Sequence, residues 1–573
     1  MILQALTQHY EDLLKRGEIA SQGWSPAKIT YALCINADGE LERIFSVEEE
    51  VSSGKKTVLQ PQRITLPAAV KRSSNPMSNF LWDNSAYLLG VDQKDNPERA
   101  KKCFDVAKER HHKLLDGVNS ETARAILAFF DHWNPDEAKN HPALQEKYEE
   151  ITSGKNLLFR VEGKYAQKDP EICAAWQRNL ETNDPNAVRM QCLVTGRKEE
   201  IPLIHDSIKG VRNAQSSGAA LVSFNAPAFC SYGKEQNLNA PIGKYAAFAY
   251  TAALNNLLND YEHVMQIGDT TVVCWGEGGE PEYQDVWCTS LGNESKTLTE
   301  SDVINAEKYL AAGQTYEPLA LDPNRPFYIL GLAPNAARLS VRFFYRNTFG
   351  TLMRNVNDHN ERLKIVGAKY ETIPLWALLQ ATVNMNSREK TANPAMAGAT
   401  ARAIFSGTRY PASLLESVML RIRAERDVTW NRAAILKAYY LKNEHKDCPK
   451  EVLTVSLNEN STNPAYTLGR LFAVYETVQQ KANPGINATI RDKYLNAASA
   501  MPASIFPILA NLYQKHLRKL STSQQISYNK LVGQLKDILG EEYPVRLNLA
   551  QQGSFDLGYY HQMQKRYEKK EEQ

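Results

Sequence analysis

Eight successive segments between Ile373 and Leu539 carry apolar residues at helical spacing, and this run constrains the fold more than any other feature. They are 373–382, 394–406, 411–429, 432–442, 463–482, 486–498, 502–520 and 523–539. A recurrence near 3.6 residues buries one face of a helix, whereas a strand needs a period of two. Pro464 and Pro502 stand at N-terminal helix positions, where a missing N–H is harmless. Asn483-Pro-Gly485 breaks the pattern between two of the segments. This half of the chain therefore reads as packed helices.

Upstream the periods are mixed. A helix is predicted from Leu3 to Arg16, then a β-rich run Ile29–Ile35 ending in the turn Asn36-Ala-Asp-Gly39. Leu41–Val47 alternates and returns as the second arm of a hairpin. Helices are predicted over 96–115 and 120–133, and a strand over 155–161. The stretch Cys192–Ala240 is rich in Gly, Ser, Asn, Gln and Pro, with short strands such as Ala219–Phe224 among polar loops. A helix over 244–261 and a buried strand over 270–275 follow. Two more strands, 327–332 and 338–345, are joined by Ala333-Pro-Asn-Ala336. The fold class is α+β. The expected division is an α+β body over 1–370, a helical connector over 371–450 and a helical bundle over 451–573.

Composition excludes several classes. The 573 residues carry 67 Lys plus Arg and 65 Asp plus Glu, a formal charge of +2, with 43% apolar residues. That is an ordinary globular mix, and it leaves no uniformly basic surface. Any nucleic-acid surface must be local. No stretch approaches the roughly 18 to 20 continuous apolar residues that span a bilayer. The start MILQALTQHYEDLLKRG reads as a helix and not a signal peptide. Eight Cys without a C-x-x-C pair suit a reducing compartment, so a cytoplasmic protein is expected; Cys274 and Cys288 are a possible pair only in an oxidising one.

Local charge is uneven. Between Glu50 and Asp83 there is no acid, but Lys55, Lys56, Arg63, Lys71 and Arg72 lie there. Between Asp322 and Asp358 there is again none, while Arg325, Arg338, Arg342, Arg346 and Arg354 are present. Arg338, Arg342 and Arg346 are four apart, which on a strand places them on one face and on a helix along one stripe. Either geometry can follow a phosphate backbone. The competing reading is a solvated face balanced by acids from elsewhere. The segment Arg72–Asn84 adds Asn and Ser beside Lys71 and Arg72, a combination that reads base edges while cations hold phosphates. Phe80 and Trp82 are expected in the core rather than as stacking wedges.

Catalytic motifs are weak. Gly54-Lys55-Lys56-Thr57 resembles the end of a phosphate-binding loop, but Glu49 stands where the first Gly is needed. There is no G-x-G-x-x-G, G-x-S-x-G or H-E-x-x-H. His205-Asp206 is a lone HD pair of the kind found in metal-dependent nucleases, with His111 and His112 as conceivable further ligands. Cys192 lacks a second Cys pair for zinc. No cofactor, metal or catalytic residue is expected.

Specific strings carry more. Met1-Ile-Leu-Gln-Ala-Leu6, Tyr10-Glu-Asp-Leu13, Gly23-Trp-Ser-Pro26 and Asn79-Phe-Leu-Trp-Asp-Asn84 through Tyr87 to Gly90 form an ordered series. It continues with Cys192-Leu-Val-Thr-Gly196, Ser223-Phe-Asn225, Ser231-Tyr-Gly-Lys234 and Leu330–Arg338 with Val341-Arg342-Phe343. Asn463–Ala473, Ala497-Ala-Ser499 and Leu557-Gly-Tyr-Tyr-His561 complete it. Together these resemble the large subunit of the subtype I-C CRISPR surveillance complex (Cascade), over essentially the whole chain.

The resemblance implies a non-enzymatic, RNA-guided role in antiviral defence. Such a subunit reads the protospacer-adjacent motif (PAM) on duplex DNA, helps open it into an R-loop and holds the displaced strand. Its implied partners are CRISPR RNA, the backbone, guide-end and small subunits, and a helicase-nuclease, with no membrane. Sequence reading is delegated to guide pairing, so a small PAM reader and cationic tracks suffice. The expected PAM contacts are Lys71 and Arg72 on phosphates and Asn75 and Asn79 on base edges, with the loop 223–239 as the rival. Lys55, Lys56, Lys234, Arg338, Arg342 and Arg346 are expected on nucleic-acid backbone. The family's small subunit resembles a separate copy of the C-terminal region, for which Val455 or Met419 are candidate internal starts.

Overall fold

A computed structural model describes residues 1–53, 56–70, 72, 75–93, 96–181, 187–293 and 295–567. Contacts group the chain into two compact units. One comprises 10–204 with 224–250; the other comprises 1–9, 205–223 and 251–573. The first helix, α1, spans Ile2–Lys15.

In the first unit, β1 (Trp24–Ile29) is followed by β2 (Tyr31–Ile35) and β3 (Leu41–Ser46). β2 and β3 form the expected antiparallel hairpin, closed by Gly39 N–H donating to Asn36 O at 3.1 Å. β4 (Gln62–Pro67) pairs with β1 in a separate ribbon. The main sheet runs in the order β3, β2, β6 (Asn156–Val161), β5 (Trp82–Asn84). β2 and β6 are parallel, so the chain must cross over between them. The crossover carries α2 (Pro97–Leu115) and α3 (Glu121–His132). Both start where short polar side chains predict: Asn96 accepts from Arg99 N–H and Ser120 from Ala123 N–H. α4 (Pro170–Glu181) follows, and Phe80 stacks on its Trp176 at 5.4 Å between ring centroids. The core under this sheet is aromatic, with Phe80, Phe129, Phe130 and Phe159 all buried.

α5 (Lys244–Asn259) leads into the second unit. There β7 (Met265–Ile267), β8 (Thr270–Gly276), β9 (Pro326–Asn335) and β10 (Arg338–Thr348) form one antiparallel sheet in that order. β8 is buried along its whole length, as its unbroken apolar run requires. α6 (Phe349–Leu363) and α7 (Pro394–Ser406) pack into the same core as this sheet. That core continues without interruption through α8 (Pro464–Ala482) to α9 (Leu549–Gln564). The expected strand Ala219–Phe224 does not form; Ala219 and Ala220 make isolated bridges to Ile208 and Arg338. Among the described residues no helix is long and apolar enough to cross a membrane. All eight cysteines are free; Cys274 and Cys288 lie 3.8 Å apart, sulfur to sulfur, and buried.

Candidate nucleic-acid interface

The loop that leads into β5 is braced from within. Asp83 is 1% exposed, and its carboxylate accepts from Arg72 Nη2, from Asn79 N–H at 2.8 Å and from Asn84 N–H at 2.8 Å. Burial holds the Asp83 carboxyl above its ordinary range, and the Arg72 charge opposes that shift. Arg72 Nε donates to Met77 O at 2.7 Å, and its guanidinium lies 4.1 Å from the Tyr87 ring centre. Leu81 N–H donates to His111 Nε2 at 3.0 Å, while His111 Nδ1 lies 2.7 Å from Ala107 O. This network assigns the proton to Nδ1 and leaves Nε2 as acceptor. Full burial lowers the His111 pKa to about 4, which keeps the ring neutral. Phe80 and Trp82 are buried, as expected of core residues, and Trp82 Nε1 donates to Pro67 O at 2.8 Å.

This arrangement corrects part of the sequence reading. Asn79 is 4% exposed and its Oδ1 accepts from Val70 N–H at 3.0 Å, so it holds the loop and presents no base-reading edge. Arg72 spends its charge on Asp83, with about a third of the side chain exposed (32%). Asn75 is exposed on the same loop. Lys55 and Lys71 lie outside the described residues, as does the Lys56 side chain.

The rival loop is a preformed projection. Asn239 Oδ1 accepts from Ser231 N–H at 2.8 Å, and its Nδ2 donates to Lys234 O at 3.1 Å and Gln236 O at 2.9 Å. One amide side chain thus closes the segment 231–236. At its tip Tyr232 and Gly233 are both left-handed, with φ of 54° and 66°. Tyr232 is 98% exposed and Lys234 is exposed beside it. Sequence reasoning named Lys234 and missed Tyr232. An aromatic in a Ser-Tyr-Gly-Lys context was the available signal, but nothing local tells a packed ring from a solvated one.

The arginines of β10 do not share a face. Arg338 pairs with Asn335 and Arg346 with Tyr328. Cross-strand partners lie on one face, and positions 335 and 328 are an odd number of residues apart on a regular strand. Arg338 and Arg346 therefore point to opposite faces. The cause is a β-bulge: Leu332 pairs with Val341 but Gly331 with Phe343, which leaves Arg342 as the extra residue. Arg346 lies over Tyr328, 5.8 Å from its ring centre. Arg342 Nη2 reaches Asp269 Oδ2 at 2.7 Å. Arg325 pairs with Glu280 at 3.7 Å and Arg354 Nε donates to Ala311 O at 2.9 Å. Asp269 and Glu280 thus balance two arginines of the acid-free window from outside it.

The HD pair does not assemble a metal centre. His205 is buried, which lowers its pKa to about 4, whereas Asp206 is exposed. His112 is taken up by Asp116 and Asp131, each at 3.1 Å. Among the described residues no group of three His, Cys, Asp or Glu side chains is placed to hold a metal ion.

A family model described as CRISPR-associated protein (Cas_Csd1) matches residues 6–567. The chain belongs to the Cas_Csd1 family. The match spans nearly the whole chain and agrees with the large subunit of the type I-C Cascade. Membership makes it a CRISPR-associated, Cascade-type protein that works with other Cascade subunits. No curated protein matches the chain. For a Cas_Csd1 protein the described residues offer exposed polar positions at Asn75 and along 231–234, and arginines divided between the two faces of β10.

Proposed function

We propose that this chain is the non-catalytic, PAM-reading large subunit of a type I-C Cascade. The observation that carries this reading is the Cas_Csd1 match over residues 6–567. Guide pairing supplies sequence specificity in such complexes, so the protein contributes a short motif reader, strand separation and backbone contacts. The chain then joins CRISPR RNA, target duplex, displaced strand and the helicase-nuclease in one assembly.

Two loops suit the duplex. Asn75 is the exposed amide on a loop that Arg72 and Asn79 brace from below. Lys234 and Tyr232 project from a loop that is already closed before any partner arrives. A preformed loop loses little conformational freedom on binding. Lys234, Arg338, Arg342 and Arg346 contact backbone, with the arginines divided between two faces of β10 and therefore serving two strand segments rather than one continuous track.

The C-terminal segment from Val455 keeps α8 and α9 together, because Val455 lies in the loop ahead of Pro464. A start at Met419 would fall inside the helix Ala412–Glu425. Val455 is thus the better start for a separately made C-terminal product. Mass spectrometry of the assembled complex tests this, and absence of any short C-terminal chain rejects it.

The decisive experiment compares duplex with and without the PAM. Asn75→Ala should weaken binding of the assembled complex to PAM-bearing duplex several-fold and spare DNA whose strands are already separated. Equal weakening on both substrates would remove Asn75 from the reader.

A further inference from the structure

The second unit holds an open cavity of about 580 Å³ beside Arg342. Its walls are the bulged part of β10 and the first turns of α7. Arg342, Phe343, Pro394, Gly398, Arg402 and Asp269 all line it. The bulge is what places Arg342 here. By inserting one extra residue opposite the ladder it re-aims the side chain, and Asp269 then fixes the guanidinium at 2.7 Å with 47% of the side chain still exposed. Arg402 is exposed on α7. Two guanidiniums against one carboxylate leave the cavity with a net positive charge, and guanidinium is suited to gripping phosphate through paired N–H groups.

Gly398 sharpens the assignment. It stands inside α7, where glycine is disfavoured relative to alanine because it loses more backbone freedom on folding. A Cβ at this position would meet nothing within 4 Å, so no contact inside the chain requires the missing side chain. What an absent Cβ leaves open is close approach of something from outside. Exposed Pro394 and the small accessible part of the otherwise buried Phe343 supply an apolar wall beside the two arginines. A flat ring against that wall and a phosphate on the arginines is the chemistry of one nucleotide unit, and the volume lies within the range of ordinary ligand sites.

We infer that this cavity seats one nucleotide of a single-stranded nucleic acid, with its phosphate on Arg342 and Arg402 and its base against Phe343 and Pro394. The inference rests on the nucleic-acid role proposed above and adds Arg402 and Gly398 to it. The strand is either guide RNA or displaced DNA, which share this chemistry.

The test uses the purified full chain and labelled oligothymidylate and oligouridylate in a salt titration. The expected result is salt-dependent binding by the unaltered chain. Arg402→Ala should lower the slope of log affinity against log salt by about 0.7, the single-strand value for one phosphate contact. Gly398→Leu should weaken binding several-fold while the thermal midpoint stays level or rises, since leucine is the better helix former. If Gly398→Leu unfolds the chain, Gly398→Ala and Arg402→Glu carry the same comparison. Stronger binding of one oligomer names the strand. No binding by the unaltered chain overturns the inference, and so do variants that keep its affinity and slope. The parent reading fails by a different sign. The ratio of affinities for PAM-bearing and PAM-free duplex should be unchanged in these variants, and a ratio of one in the unaltered complex would defeat PAM reading without touching the cavity.

Discussion

Asp83 is closed over by Arg72: the carboxylate, 1% exposed, accepts the guanidinium together with the N–H groups of Asn79 and Asn84. A buried acceptor so satisfied becomes a liability when its partner is removed. Arg72→Ala should destabilise the chain by about 1–3 kcal/mol, with the partial exposure of Arg72 favouring the lower end. Arg72→Lys should recover little, because a single ammonium cannot serve Asp83 and Met77 O together while stacking on Tyr87. Thermal melting of both variants checks this; full rescue by Lys would show that charge alone matters there.

Asn75 and Asn79 should separate in their effects. Asn79→Ala removes the acceptor for Val70 N–H and should cost about 1 kcal/mol of stability, weakening all DNA binding alike. Asn75→Ala touches an exposed side chain and should leave the melting midpoint unchanged. Side-by-side melting curves and duplex titrations decide, and a loss of stability with Asn75→Ala would contradict its exposed placement.

Stability should fall as pH rises from the acid range through neutrality. Burial pushes the Asp556 carboxyl up to about 8, against the opposing charge of Arg423. Burial likewise raises Glu307 to about 7, against the hydrogen bond from Asn360 Nδ2 at 3.0 Å. Both folded-state values lie above the ordinary carboxylate value of about 4. Their contribution is therefore complete below that value, declines as pH rises from it, and is gone above about 7 for Glu307 and about 8 for Asp556. The melting midpoint should drop across this window, and Asp556→Asn should flatten the upper part of the drop. An unaltered pH profile in that variant would locate the effect elsewhere.

α8 and α9 meet backbone to backbone. A Cβ on Gly469 would come within 2.0 Å of Phe555 O, and one on Gly558 within 2.1 Å of Tyr466 O. Alanine at either position forces the helices apart, and overpacking of this kind costs about 1–3 kcal/mol, offset in part by better helix propensity. A lower urea midpoint for both single variants is expected. Unchanged midpoints would mean that the helices can separate freely.

Much of the fold was legible because its signals are local. Asn96 and Ser120 cap the helices they precede, Pro394 and Pro464 open theirs, and the turn Asn36–Gly39 closes its hairpin. The strand expected at Ala219–Phe224 failed for the opposite reason. Its composition allowed an extended run, but only isolated bridges to Ile208 and Arg338 are available to it. A strand exists only where a neighbour supplies the ladder.

The site was less legible. Spacing put Arg338, Arg342 and Arg346 on one face, and a bulge at Arg342 redistributed them. Composition made Asn79 a plausible base reader, and the fold turned its Oδ1 inward to Val70. Tyr232 was not among the expected contact residues yet is 98% exposed at the tip of a closed loop.

The sequence by itself determined the helical C-terminal half, the α+β class, the near-neutral charge with its acid-free windows, and the family. These depend on periodicity, capping and ordered strings, which act over a few residues or are read directly. Only the tertiary structure decided which polar groups are spent inside and which remain outward. Asp269 meets Arg342 across 73 residues of chain, and Arg72 meets Asp83 only because a buried carboxylate has to be paired. Burial and pairing are properties of segments brought together from afar, and no local pattern encodes them.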